Sequence, residues 1–288
     1  MDSHHVGAEL GSAYPNQSGG KMSLFHLFIL AVLQGLTEFL PVSSSGHLIL
    51  LPSLTGLQDQ GQVLDIAVHV GTLGAVILYF RQDSMKALVG LGHLVMGKRE
   101  TAQARLAWLL VIGTIPVVIF GIILKFTGLD AELRSITVIG WTMLGFGLVL
   151  YVADQKGGQE KSDDDWGTKD AIIMGLCQAL ALVPGTSRSG ITISASRALG
   201  YNREDSAKIA MLMSIPAILA SGTYLGIEVA ATADIQAATD GAIAAIMSFF
   251  AALLALSIMM RMLKSVSYTP YVIYRVILGV VLLIVAYS

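Results

Sequence analysis

Uncharged apolar runs recur along this chain at close to 20 residues, about the length an α-helix needs to cross the hydrocarbon core of a bilayer. They fall at 106–124, 135–153, 209–227 and 241–260. Two more are lightly interrupted: 61–80 contains Asp65 and His69, and 268–288 contains Arg275. Six crossings are predicted. Two other apolar regions, 22–57 and 171–199, are broken near the middle by Pro, Gly and hydroxyl side chains, at PVSSSGH (41–47) and PGTSRSG (184–190). Each half is roughly 10–16 residues, too short to span and long enough for one arm of a re-entrant helical hairpin. Irregular backbone at membrane depth persists only where protein or a watery cavity satisfies its N–H and C=O groups, so both breaks are expected to line a cavity. The predicted fold class is an all-α polytopic membrane protein, with six transmembrane helices plus two re-entrant helical hairpins.

The polar stretches organise these runs. Residues 1–20 carry no apolar run and read as a disordered tail or expression remnant. The charged stretch 154–169 (DQKGGQEKSDDDWGTK) reads as a linker within one integral membrane domain. It separates two portions, 21–153 and 170–288, each a broken hairpin followed by three crossings. A shift of 144 positions places Gln34, Leu36, Ser43, Ser45 and Gly46 on Gln178, Leu180, Ser187, Ser189 and Gly190. Three crossings per portion make such a repeat inverted.

Loop charge assigns the sides. Residues 81–105, the three lysines of 154–169, the segment Arg197 to Lys208, and Arg261 with Lys264 are basic, and the positive-inside rule makes them cytoplasmic. The opposite side holds Lys125, Arg134 and the stretch 228–240, whose Glu228, Asp234 and Asp240 are expected in a solvated outer loop. Both termini then lie outside, the first hairpin dips in from outside and the second from the cytoplasm. Their tips are expected to meet near the midplane.

Composition removes the alternatives. Hydrophobic residues make up 54% of the 288 and charged ones 13%, at a mean hydropathy of +0.70. A soluble domain needs about a quarter charged residues to form its polar shell. Lys+Arg number 18 against 20 Asp+Glu, so no basic surplus exists to meet nucleic acid. The single cysteine, Cys177, excludes an intrachain disulfide and is expected to pack between helices.

The two breaks carry the chemistry. Gln34 and Glu38 are four apart and share one helix face. A carboxylate in a membrane segment costs at least about 2.5 kcal/mol on insertion scales, so Glu38 should face a cavity or a partner. Ser43, Ser44, Ser45 and His47 follow within nine residues, giving an acid, candidate nucleophiles and a base. A structural pairing of Glu38 is the bland alternative. The second break supplies the hydroxyls of Thr186, Ser187 and Ser189, while Gly185 and Gly190, like Gly46 in the first, let backbone approach a ligand. Its Arg188 presents a planar fork suited to phosphate, unless it serves only as the counter-ion of Glu38. The set fits phosphoryl transfer on a phosphorylated lipid whose tail stays in the bilayer. Ser44, His47 or a water could attack. Glu38 could take the proton, or hold a divalent cation with Gln34.

QGLTEFLPVSSSGH (34–47) and PGTSRSG (184–190) resemble the two signature motifs of the bacterial undecaprenyl pyrophosphate phosphatase family, also called bacitracin resistance proteins. The resemblance runs from about Met22 to Ser288 and includes YxxYR at 271–275. It implies hydrolysis of undecaprenyl pyrophosphate to undecaprenyl phosphate at the outer face of the bacterial inner membrane, which recycles the lipid carrier of peptidoglycan. It also implies dependence on a divalent cation, Mg2+ or Ca2+, and an inverted-repeat fold. By position, the family's acidic pair falls on Gln34 and Glu38, its serine and histidine on Ser44 and His47, and its arginine on Arg188. Ser45 stands where many members have Thr.

The expected catalytic set is therefore Glu38, Ser44, His47 and Arg188. The expected substrate-binding set is Gln34, Ser43, Ser45, Gly46, Gly185, Thr186, Ser187, Ser189 and Gly190, and the metal ligands would be Glu38 and Gln34. A homodimer is admitted. A transporter or flippase of a phosphorylated polyprenyl lipid is the rival reading, since inverted repeats with broken helices also build transporters. Asp65 and His69 would shuttle protons or line the cavity, or else pair at a helix end near the interface; for Arg275 the readings are phosphate contact, an interfacial anchor or a structural pairing, and the last is favoured.

Overall fold

The structure, a computed structural model, describes residues 23–55, 61–230 and 235–288; the tail expected at 1–20 lies outside them. Twelve α-helices run through the described residues. They are α1 (Leu24–Phe39), α2 (Ser44–Thr55), α3 (Gly61–Tyr79), α4 (Arg81–Val95), α5 (Ala102–Thr127), α6 (Leu129–Glu132), α7 (Ile136–Lys156), α8 (Thr168–Ala179), α9 (Arg188–Ala198), α10 (Arg203–Ala230), α11 (Ile235–Met262) and α12 (Thr269–Tyr287). The ends follow local chemistry. Ser23, Thr101 and Ser135 each cap the helix after them, the side-chain oxygen accepting from the backbone N–H three residues on, and α5 ends at Gly128 in the left-handed conformation.

Five of these helices, α5, α7, α10, α11 and α12, are long and apolar enough to cross a membrane, and the count reaches six where the bent pair α3 and α4 is taken as one span. The molecule is turned inside out relative to a soluble protein. Trp108, Phe120, Trp141, Phe250 and Ile277 are exposed, whereas Gln34, Thr186, Ser196, Arg197 and Arg275 are fully buried. An apolar exterior and a polar interior suit a bilayer as solvent.

Three expectations change. The basic stretch 81–105 is no loop: α4 turns 97° from α3 and packs along α5. Its first turn carries Arg81, Gln82 and Asp83, too polar to continue into lipid, and Gly90 lets it approach α5 so closely that a Cβ there would meet the Ala107 methyl at 2.9 Å. Arg197 is not a loop charge but sits in the last turn of α9, fully buried, donating to Asp154, to the carbonyls of Asp154, Gly157 and Gly158, and to that of Tyr201. Asp240 belongs to α11, where it is buried and accepts from Gln236 Nε2 at 2.8 Å. Glu228 falls in α10, and Asp234 lies outside the described residues.

The stretch read as a linker is folded against the body. Trp166 is buried in the main core, and the Arg105 guanidinium donates to the carbonyls of Asp164 and Trp166. Lys208 pairs with both Asp83 and Asp163, and Asp154 takes Arg203 as well as Arg197. Asp170 accepts from Lys161 and from Tyr201, whose phenol is pushed to a higher pKa by burial and by that carboxylate. These pairs gather one end of the bundle. Between the portions, helices exchange partners: α1 packs on α11 and α8 on α5, while α7 pairs with α12 and α3 with α10.

Candidate active site

The chain between α1 and α2 and the chain between α8 and α9 finish the same way. Ser43 (φ 73°) and Ser187 (φ 71°) are the non-glycine residues with positive φ among the described residues, and they stand 144 positions apart. Each caps the helix it precedes, Ser43 Oγ accepting from Gly46 N at 3.4 Å and Ser187 Oγ from Gly190 N at 3.1 Å. Each also lies beside the hydroxyl two residues on, Ser45 at 3.4 Å and Ser189 at 3.2 Å. A left-handed serine costs about 1–2 kcal/mol, so both turns are held by their surroundings.

Arg275 is what holds them. Fully buried on α12, its guanidinium donates to the carbonyls of Pro41 (3.2 Å), Gly185 (3.0 Å) and Thr186 (2.9 Å), and to Met143 (3.2 Å) and Thr142 (3.4 Å) on α7. The broken helices thereby find partners for backbone oxygens that have no water to turn to. Arg275 therefore serves structure, as favoured above. The tips also meet directly through Ser189 Oγ and the Leu40 carbonyl, 3.0 Å. At the glycines, close packing is with protein: a Cβ on Gly185 (φ 86°) would strike Thr142 and the Ile139 backbone, one on Gly190 would stand 3.0 Å from Arg275 Nη1, and one on Gly46 would stand 3.3 Å from Ile139 Cγ2.

The carboxylate of Glu38 is the centre of the arrangement. Nearly buried at the end of α1, its Oε1 accepts from Arg188 Nη2 at 2.5 Å and its Oε2 from Ser44 Oγ at 2.6 Å and Gln34 Nε2 at 2.8 Å. His69, which sequence left between two roles, reaches in from α3, its Nε2 3.7 Å from Oε2. Its Nδ1 lies 2.6 Å from the Asp65 carbonyl. His47 is engaged at both nitrogens, Nδ1 with the Ser43 carbonyl at 2.6 Å and Nε2 with the Tyr274 hydroxyl at 2.5 Å.

Some polar atoms here are left over. Arg188 Nη1, Thr186 Oγ1 and Gln34 Oε1 are buried and make no hydrogen bond among the described residues. Unpaired buried polar groups cost about 1–3 kcal/mol each, so they mark where a ligand belongs. Arg188 Nη1 and Thr186 Oγ1 offer donors to an anion. Ser44 and Arg188 are half-buried and Ser45 is exposed, so the cluster is open at that edge.

A hard divalent cation takes oxygen ligands, and Gln34 Oε1 beside Glu38 and Ser44 offers that chemistry. Among the described residues no three His, Cys, Asp or Glu side chains gather to hold a metal. In donor type these residues fit a cation, the rest of whose shell ligand phosphate and water would have to supply.

Two contributors escaped the sequence reading. Tyr274 stacks on His47 with ring centroids 5.7 Å apart, and Thr142 Oγ1 donates to the Pro184 carbonyl at 2.6 Å. Tyr274 had a signal, since it lies in the YxxYR stretch. Thr142 had none.

The sequence profile of the family described as Bacitracin resistance protein BacA matches residues 27–281. The chain belongs to that family. It is 66% identical over 267 residues to the protein named undecaprenyl-diphosphatase of Jannaschia sp. (strain CCS1), covering 93% of this chain and 100% of that one. The protein of that name from Ruegeria pomeroyi is 65% identical over the same shares. A more distant relative so named, from Hahella chejuensis, is 43% identical over 266 residues, 92% of this chain and 99% of its own. Both broken tips of this BacA-family chain fall within the matched residues.

Proposed function

We infer that this chain is an integral membrane hydrolase that converts undecaprenyl pyrophosphate to undecaprenyl phosphate and inorganic phosphate, recycling a lipid carrier of cell-wall synthesis. Family membership and the identity to proteins named undecaprenyl-diphosphatase support the activity. One observation carries the mechanism: Ser44 Oγ donates to Glu38 Oε2 at 2.6 Å while Arg188 is held against Oε1 at 2.5 Å. A nucleophile with a base in contact, and a guanidinium beside both, is the arrangement phosphoryl transfer uses.

In this reading the terminal phosphate enters at the open edge and takes the unpaired Arg188 Nη1 and Thr186 Oγ1. Ser44 Oγ attacks the terminal phosphorus and its proton passes to Glu38. The bridging P–O bond breaks, undecaprenyl phosphate departs with the proton that Glu38 took up, and the phosphate remains on Ser44. Water, deprotonated by the freed Glu38 carboxylate, then attacks the phosphoserine, and Glu38 returns the proton to Ser44 Oγ as inorganic phosphate leaves. Gln34 and Glu38 would hold a divalent cation, Mg2+ or Ca2+, which when bound neutralises pyrophosphate charge. The repeat is inverted, both termini face outside, and the site opens to the outer face of the inner membrane; the loop-charge pattern supports this placement.

The test is phosphate release by purified protein given a polyprenyl pyrophosphate in detergent. Release is expected from the wild type, and from Ser44→Ala at a rate at least about 10²-fold lower, the scale of losing an activated nucleophile and its proton transfer. No release with divalent cation present, together with transbilayer movement of lipid phosphate in liposomes, would replace this reading with transport.

A further inference from the structure

His47 sits in the catalytic cluster without a free nitrogen. A carbonyl oxygen only accepts, so the 2.6 Å contact to the Ser43 carbonyl puts the hydrogen on Nδ1. In the neutral ring Nε2 is then the acceptor, and the Tyr274 hydroxyl, 2.5 Å away, donates to it. The rings stack within 9° of parallel, so the contact is made face by face as well as end to end. Tyr274 is anchored by its neighbour Arg275, which grips the Pro41, Gly185 and Thr186 carbonyls. The lone pair that an attacking or proton-accepting imidazole needs is therefore filled, and the Ser44 proton already has an acceptor in Glu38 at 2.6 Å.

We propose that His47 is a positioning residue, its tautomer set by the Ser43 carbonyl and its ring held in place by the Tyr274 hydroxyl. The chain from Tyr274 hydroxyl to imidazole to Ser43 carbonyl ties α12 to the left-handed serine from which α2 begins. Fixing that carbonyl fixes the direction in which Ser44, the next residue, presents its Oγ. The kinetic part of this inference rests on the phosphatase reading above; the tautomer does not.

Asparagine and glutamine separate the roles. The amide nitrogen of His47→Asn falls near the Nδ1 place and keeps a donor for the Ser43 carbonyl, whereas that of His47→Gln falls near the Nε2 place. His47→Asn is expected to retain kcat within about tenfold of wild type, the scale of one hydrogen bond, with KM unchanged. His47→Gln and His47→Ala should fall about 10²-fold or more, the scale of a misplaced reacting group. Tyr274→Phe should cost about tenfold in kcat alone and nothing further when added to His47→Asn. Equal loss in all three His47 variants, or a trapped phosphohistidine, overturns the proposal.

Nitrogen-15 NMR of histidine-labelled protein, with the His47 signals assigned by their loss in His47→Asn, should show a neutral Nδ1–H ring in wild type. In Tyr274→Phe the ring should remain Nδ1–H while the Nε2 signal shifts, having lost the hydroxyl that donates to it. An Nε2–H ring or an imidazolium in the wild type overturns the proposal without any substrate present. If wild-type protein releases no phosphate, the phosphatase reading falls while the spectrum still decides the link between Tyr274 and His47.

Discussion

Glu38 is a buried carboxylate on which three donors converge, and each neighbour constrains what a substitution reports. Glu38→Ala would leave Arg188 as an uncompensated charge, a change of about 3–5 kcal/mol, so lost activity in that variant would mix folding with chemistry. Glu38→Gln keeps the shape and removes the base. It is expected to fold, judged by its elution and thermal melt in detergent, and to release phosphate about 10²–10⁴-fold more slowly than wild type. Arg188→Lys keeps the charge but loses the planar fork, so it cannot serve Glu38 Oε1 and a phosphate oxygen together. A fall in kcat of roughly 10²-fold or more is expected in a phosphate-release assay.

Chelation belongs to the same scale. In the proposed site one carboxylate and one carboxamide would be the protein ligands and substrate oxygens would complete the shell, so EDTA should abolish release and added Mg2+ or Ca2+ restore it. Full activity in EDTA would remove the cation from Gln34 and Glu38. Glu38 and Arg188 were legible in the sequence because ionisable groups in short apolar segments are costly and so demand a reason. Tyr274 was quoted only as part of a motif, since a tyrosine near the end of a membrane helix is ordinary and its partner is 227 positions away.

At the scale of elements, the broken hairpins were visible because Pro, Gly and hydroxyls interrupt hydrophobic runs at matching places. What closes them was not. Arg275 reads as an interruption in the last apolar run, yet three of its five contacts supply hydrogen bonds that the two breaks forgo, and the other two tie it to α7. Arg275→Met matches the volume and removes every donor, leaving several buried carbonyls unsatisfied at about 1–3 kcal/mol each. The variant should melt at least about 10 °C below wild type in one detergent, or fail to accumulate in the membrane. A melt within 2 °C of wild type would show that the breaks are satisfied by other means. The helix α4 was missed for a related reason: five polar or charged residues within Arg81–Lys86 read as loop, and only packing against α5 at Gly90 reveals a helix.

For the whole molecule, the contacts bear on sidedness more firmly than composition alone. Residues grouped as cytoplasmic by charge prove to be neighbours: Lys208 reaches Asp83 and Asp163, Arg105 reaches Asp164 and Trp166, and Asp154 takes Arg203 and the Tyr268 backbone N–H. The segments α4, 154–169, the start of α10 and the start of α12 thus share one end of the bundle, which the proposed orientation puts in the cytoplasm. An odd number of crossings then carries the start of α11 to the other face. In a Cys177→Ala background, an impermeant thiol reagent on intact spheroplasts should modify Ala238→Cys, which is exposed in the first turn of α11. It should reach Gln159→Cys, exposed in the 154–169 segment, only after the membrane is opened. The reverse pattern would invert the molecule and point the site at the cytoplasm. Labelling of both positions without permeabilisation would break the inverted arrangement itself, because these two segments could then no longer lie on opposite faces.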